Sequence, residues 1–230
     1  MTKLTFLGHS AILLQADGLD VLVDPFLTGN PTASTTAADV PADVIVLTHG
    51  HGDHYGDVVA IAERTGAQVV ALVETANELM EKGVANVSDP NLGGTVAFDG
   101  GWVRYVPAWH TSTTPDGTVA VAAGVVLHVG GTTIYHLGDT ALFSDLALPG
   151  RRDRLDAALI PIGGHYTMDR HDAVEAARLV GAPRIVPVHH GTFPPIETDA
   201  QAYKQDVESA GIATVDVLEP GGSIEIEAAA

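Results

Sequence analysis

An α/β sandwich, with two β-sheets face to face and helices outside both, is the fold this sequence predicts, on three observations. A turn-punctuated, strand-rich meander gives way to strand–helix alternation, and the same succession then occurs a second time. The 230 residues suffice for a full core and no linker-like stretch interrupts them, so residues 1–230 read as a single domain. Histidines and aspartates recur just after apolar strand-like runs, as they do where strand ends gather at one edge of a sheet.

Strand-like runs open the chain at residues 3–7, 11–15 and 19–23, separated by Gly8 and by Asp17-Gly18, a hairpin signal. From Val44 the pattern becomes strand, helix (57–64), strand (68–73) and helix (75–82). A second meander follows at 95–98, 102–106, 119–129 and 132–137. Then come a strand at 157–161, a helix near 171–180 with Asp169 as its N-cap, and a strand at 184–188. Thr198 and Gln201 have capping-box spacing and open a last helix, and strands at 214–218 and 223–226 close the chain. Residues 28–43, rich in Thr, Ala and Pro, form the one long loop, a lid or a plain connector. Disorder is expected only at Ala228, Ala229 and Ala230.

Composition narrows the function. The formal charge is −18 and there are only 11 Lys and Arg, which argues against a nucleic-acid partner, since phosphate backbones are bound through such residues. Arg151, Arg152 and Arg154 form the one basic cluster and read as a solvated loop. Without cysteine there are no disulfides, thiolate metal sites or thiol nucleophiles, and any metal must be held by His and carboxylate. Met1 runs straight into KLTFL with no leader-like region, and the longest apolar stretch, 119–127, is half a membrane span. A cytoplasmic protein with a small-molecule substrate and no membrane partner is expected.

The chemistry concentrates in VIVLTHGHGDH, where His49, His51, Asp53 and His54 place four candidate ligands within six residues at the end of an apolar run. Gly50 and Gly52 let the backbone turn tightly enough for their side chains to converge. Imidazole and carboxylate suit zinc, iron or manganese at catalytic sites, and four such closely spaced ligands serve two ions with less strain than one. Asp24, His110, Asp139 and His189 each follow a strand-like run and so are expected at the same edge.

The motifs THGHGDH, WHTS, HLGDT and PVHHGTFP together resemble the metallo-β-lactamase superfamily across nearly the whole chain. GHSAILL, DPFLTGNP, IGGHYTMD and HHGTFPPI resemble a small bacterial and archaeal group of metal-dependent hydrolases akin to L-ascorbate-6-phosphate lactonase. The resemblance implies an αβ/βα four-layer sandwich with a dinuclear site. It implies His49, His51 and His110 on one metal, Asp53, His54 and His189 on the other, and Asp139 bridging. His190 stands where that group usually has an aromatic residue.

Two divalent ions are therefore expected, zinc or manganese foremost, with nickel or iron also suited to the donors. A shared hydroxide would be the nucleophile, Asp53 would orient it, and His165 would contact substrate or protonate the leaving group. Asp24, His9 and His136 are expected to support the ligands from behind. The function so read is hydrolysis of a small ester, lactone or phosphodiester, the phosphodiester narrowly preferred because two metals can clamp both attacking and leaving oxygens. Two alternatives come with the resemblance. An RNA-processing nuclease is disfavoured by charge, and a non-hydrolytic diiron oxygen-binding or sensor protein is disfavoured by His51, where those relatives carry Glu. Relatives of this size often assemble, which makes a homo-oligomer an expectation.

Overall fold

In the computed structural model, which describes residues 1–228, the chain forms four layers. Strands β1 (Thr2–Gly8), β2 (Ala11–Ala16) and β3 (Leu19–Val23) are an antiparallel meander, continued in parallel by β4 (Val44–Val46), β5 (Gln68–Val70) and β6 (Val87–Ser88). The second sheet repeats that plan. Strands β7 (Thr95–Phe98), β8 (Gly101–Thr113), β9 (Val119–Val129) and β10 (Thr132–His136) are antiparallel, and β11 (Ala157–Pro161), β12 (Arg184–Val188) and β13 (Thr214–Val215) extend them in parallel. Strand β14 (Ser223–Ile226) crosses back to pair with β1, so among the described residues each sheet has seven strands.

Strand periodicity explains the layering. Alternate residues point to opposite faces, so Leu4, Phe6, Ile12 and Leu14 meet Val103, Val125, Leu127 and Leu159 between the sheets. Their neighbours Ala11 and Leu13 face outward onto α2 (Val58–Thr65) and α3 (Val73–Glu81), which follow the four-residue α1 (Gly52–Tyr55). On the other side Val126, Ala158 and Ile160 pack beneath α4 (Ala147–Arg152), α5 (Arg170–Val180) and α6 (Ala200–Ser209). The four-layer αβ/βα sandwich expected from the sequence is the fold observed.

Several local expectations are corrected. The cap of the last helix lies one residue later than Thr198, and the helix begins at Ala200, because Asp199 supplies the cap, its carboxylate accepting the Ala202 N–H at 2.9 Å. Helix α3 takes over the end of the expected 68–73 strand. Asp57 precedes α2 without capping it, its carboxylate accepting instead from Leu27 and Thr28 N–H. Arg151 and Arg152 lie in helix α4, not in a loop. Loop 28–43 is packed down, with Val40 and Ala42 buried and Arg64 donating to the Ala37 and Val40 carbonyls. The tail expectation for Ala229 and Ala230 lies outside the described residues.

Candidate metal centre

The parallel register of β3 and β4 aligns Val23 with Val46, so Asp24 and the segment Leu47–Thr48–His49 leave the sheet side by side. His9 follows β1, Asp139 follows β10 and His189 follows β12. The two sheets are tied together at this edge: Ala123 N–H donates to the Thr48 carbonyl at 3.1 Å, and the buried Tyr105 hydroxyl reaches the Leu47 and Val70 carbonyls.

His110 departs from the expected pattern. It lies inside the long strand β8, not beyond a strand, and the β8–β9 register shifts between Pro107 and Thr111. A bulge of this kind re-aims a side chain, here bringing His110 Nε2 within 3.6 Å of Asp139 Oδ2. Gly50 is sterically required, since a Cβ there would meet Thr114 Cγ2 at 2.8 Å, whereas a Cβ on Gly52 would meet nothing closer than 3.9 Å. Gly56 was not anticipated. Its φ is +38° and a Cβ would lie 2.4 Å from the Pro25 carbonyl oxygen, so it lets α1 close against the segment that follows Asp24.

The ligand-type atoms form three overlapping groups, His49/His51/His110, His49/His54/Asp139 and His9/Asp53/His54/His189, each with its atoms within 4.8 Å of one another. His49 Nε2 and His51 Nδ1 approach to 3.0 Å. Asp139 stands between the groups. Its Oδ2 is 3.0 Å from His189 Nε2 and 4.0 Å from His49 Nε2, and its Oδ1 is 3.3 Å from His54 Nε2. His9, expected only to support ligands, presents Nε2 3.2 Å from Asp53 Oδ2 and so belongs to the cluster itself. A histidine in a turn after a glycine carries no spacing signal that could have revealed this.

The supporting hydrogen bonds decide which nitrogens face the cluster. Asp24 Oδ1 accepts the Thr48 N–H at 2.8 Å, while Oδ2 accepts both the Thr48 hydroxyl at 2.6 Å and His54 Nδ1–H at 2.8 Å. With its hydrogen committed to Asp24, the Thr48 hydroxyl oxygen accepts from His49 Nδ1–H at 3.1 Å. One buried carboxylate thus commits the Nδ1–H of both imidazoles, leaving Nε2 of each turned to the cluster, which is the tautomer a bound cation requires. His136 Nδ1 accepts the Gly138 N–H at 3.0 Å, and its Nε2–H therefore donates to the Ser10 carbonyl at 3.2 Å, holding the turn before Asp139 against the turn that carries His9.

Electrostatics separates the members. Burial pushes His49 well below the ordinary histidine range and takes His9 down to about 4, so both are neutral and free to act as donors at neutral pH. Burial opposes ionisation of Asp139, but His54 and His189 overcome it and hold its carboxyl well below the usual carboxylate range. Asp53 behaves alike: burial is outweighed by the adjacent His9 imidazole and the charge of His54. Burial also disfavours the charged form of His54, yet Asp139 and Asp24 outweigh it and raise its pKa. Asp53 keeps 33% of its side chain exposed against 3% for Asp139, so of the two carboxylates Asp53 is the one open to solvent. His9, Asp24 and His189 all have positive φ, at 59°, 46° and 54°. Such backbone costs about 1–3 kcal/mol per residue and persists where the surroundings dictate it.

His165 is not brought into the cluster. It is exposed, its ring lies edge-on to Tyr166, and among the described residues no hydrogen bond or ion pair joins it to a cluster side chain. His190 turns away from the cluster that His189 enters, and its imidazole lines a separate cavity of about 290 Å³ with Gly191, Gln201 and Leu218.

The chain has clear similarities. The beta-lactamase superfamily domain profile matches residues 3–189. A UPF0173 metal-dependent hydrolase of Thermus thermophilus is 46% identical over 228 residues, spanning 99% of this chain and 100% of that protein. A UPF0173 metal-dependent hydrolase of Methanopyrus kandleri is 42% identical, spanning 97% and 99%. Among solved structures, Igni18, a metallo hydrolase from Ignicoccus hospitalis, superposes with a TM-score of 0.89 at 38% identity, covering 98% of this chain and 99% of that one.

Proposed function

This chain belongs to the beta-lactamase superfamily, among its UPF0173 metal-dependent hydrolases, and from that premise we propose that it hydrolyses a small ester, lactone or phosphodiester at a site built for two divalent cations. The observation that carries the proposal is a set of orphaned donors. His9 Nε2, His54 Nε2, both ring nitrogens of His189 and Asp139 Oδ1 are buried with no hydrogen-bond partner among the described residues. Leaving a buried polar atom unmade costs about 1–3 kcal/mol, and here His54 Nε2, His189 Nε2 and Asp139 Oδ1 belong to one cluster with His9 Nε2. An all-nitrogen-and-oxygen set of this kind fits zinc or manganese, with nickel or iron also compatible.

In this reading His49, His51 and His110 would hold one cation, and Asp53, His54 and His189 the other, with His9 beside the second group. Asp139 approaches members of both groups and would serve both cations. When bound, two such cations lower the pKa of a water toward about 7 and supply hydroxide at neutral pH. The protein does the rest. Asp24 and Thr48 fix the imidazoles, Asp139 offsets the charge between the cations, and the half-exposed Asp53 accepts a hydrogen bond that orients the nucleophile toward substrate. The role of His165, on an exposed loop outside the cluster, would be to protonate the leaving group.

The test is a screen of the manganese-, zinc- and nickel-loaded protein against an aryl ester, a lactone and a phosphodiester. Hydrolysis that rises with pH through neutrality is expected. Fully loaded protein that turns over none of the three would defeat the reading.

A further inference from the structure

Every stretch of chain that delivers a candidate site residue is free of lysine and arginine: positions 4–63, 105–150, 155–169 and 185–203 contain neither. Basic side chains held in place are held elsewhere, Lys82 on Asp116, Arg104 on Asp153, Arg170 on Asp206 and Arg184 on Asp216. A site that recognises phosphate or carboxylate normally supplies a guanidinium fork or an ammonium for it. Here an anion would meet only the cations at the centre, after approaching a chain of formal charge −18 that repels it.

Aromatic rings take that place. The Phe26 ring lies edge-on to His9 at 5.8 Å between centroids, Phe193 is 5.7 Å from the same imidazole, and the two phenyl rings are 6.3 Å apart. Trp109, the residue before His110, stacks on Phe143 at 5.9 Å with the planes 26° apart. Trp109 N–H donates to Thr140 Oγ1 at 3.0 Å, which ties this wall to the residue after Asp139. Trp109 is nonetheless 69% exposed, a large apolar surface left in water one residue from His110.

We propose that the substrate is a neutral ester or lactone whose apolar group, aromatic or branched acyl, lies against Trp109 and Phe143, and that phosphate- or carboxylate-bearing compounds are excluded. This deepens the hydrolytic reading above, rests on it, and reverses the narrow preference for phosphodiesters that two-metal chemistry alone suggested. The reaction adds one water across the acyl C–O bond: the bond to the leaving oxygen breaks, a new one forms to the oxygen of water, and a proton passes to the departing alkoxide. The product acid ionises at neutral pH, and the stretches that build the site offer no lysine or arginine to retain it.

The experiment compares p-nitrophenyl phenylacetate with bis(p-nitrophenyl) phosphate, which share a leaving group, on metal-loaded wild type, Trp109→Ala and Trp109→Phe at low and high salt. The ester is expected to have the higher kcat/KM, independent of salt, while the phosphodiester value rises with salt as repulsion is screened. Trp109→Ala should raise KM for the ester about ten-fold with a smaller change in kcat, and Trp109→Phe should restore most of it. Binding is read separately on metal-free protein, where 4-phenyl-2-butanone should quench the indole fluorescence and phenylacetate should not. The ketone quench should vanish in Trp109→Phe, which retains Trp102. A phosphodiester preference, no ketone quench, or equal quenching by phenylacetate overturns the proposal. So does a Trp109→Ala variant whose oligomeric mass changes while KM does not, since the wall is then covered by a second copy. Ketone binding without hydrolysis of any substrate defeats the hydrolytic reading and leaves the preference for neutral ligands standing.

Discussion

Asp24 Oδ2 accepts a 2.8 Å hydrogen bond from His54 Nδ1–H in a place where neither side chain is exposed to solvent. The same oxygen accepts from Thr48, and Thr48 in turn holds His49. Asp24→Asn keeps the shape but removes the charge and one acceptor, so both imidazoles lose their fixed tautomer. Metal affinity should fall about 10- to 100-fold, measured by competition with a chelator. Thr48→Val leaves the Asp24–His54 bond intact and should cost less. An Asp24→Asn protein with wild-type affinity would remove Asp24 from the account.

Acid should destabilise the metal-free protein through His9. Burial holds its folded pKa at about 4 against 6.5 in the unfolded chain, so below 6.5 the unfolded state binds the extra proton. The stability is present above 6.5 and is lost as pH falls toward 4, on the order of 2 kcal/mol of it between about pH 7 and pH 5. His54, whose pKa is raised, works in the opposite sense. The informative quantity is therefore the difference from His9→Phe, whose urea midpoint should drop less over that interval. Equal drops in the two proteins would show that His9 is not the buried neutral group described.

The neighbours His189 and His190 should behave differently on truncation. Strand β12 ends at Val188, and His189 turns into the cluster because its backbone is left-handed, with φ 54° and its N–H on the His9 carbonyl at 2.7 Å. Simple strand alternation would have named the same residue for another reason. His189→Ala should deplete the second cation, and His190→Ala should leave the stoichiometry intact. Loss of a cation in the His190 variant alone would reverse the assignment.

His165→Ala should retain the full metal complement, since its ring contacts Tyr166 and not the cluster. If it protonates the leaving group, activity should fall on the order of 100-fold with poor leaving groups and less with good ones. An equal loss across a leaving-group series would reject the acid role.

The sandwich was legible because both of its signals are local. Alternation in Leu4, Phe6, Ile12 and Leu14 marks a two-faced sheet, and the run before His49 marks a buried parallel strand. The return of β14 to β1 was not legible, because pairing between Thr2 and Ile226 is set by tertiary closure and not by any neighbouring residue. The site divides in the same way. His49, His51, Asp53 and His54 announce themselves by spacing, whereas His110 depends on a bulge inside β8 and His9 on a positive φ after Gly8. Capping failed by one residue at Thr198 because Asp199, equally able to accept, lies closer to the first free N–H groups.

The central claim is that this cluster binds two divalent cations with Asp139 between them. Elemental analysis of protein reconstituted with manganese or zinc tests it most directly. The account predicts saturation at two ions per chain, with Asp139→Asn falling below two because a neutral amide cannot offset charge between cations. Saturation of the wild type at one ion per chain, or an Asp139→Asn protein that still binds two with unchanged affinity, would contradict it.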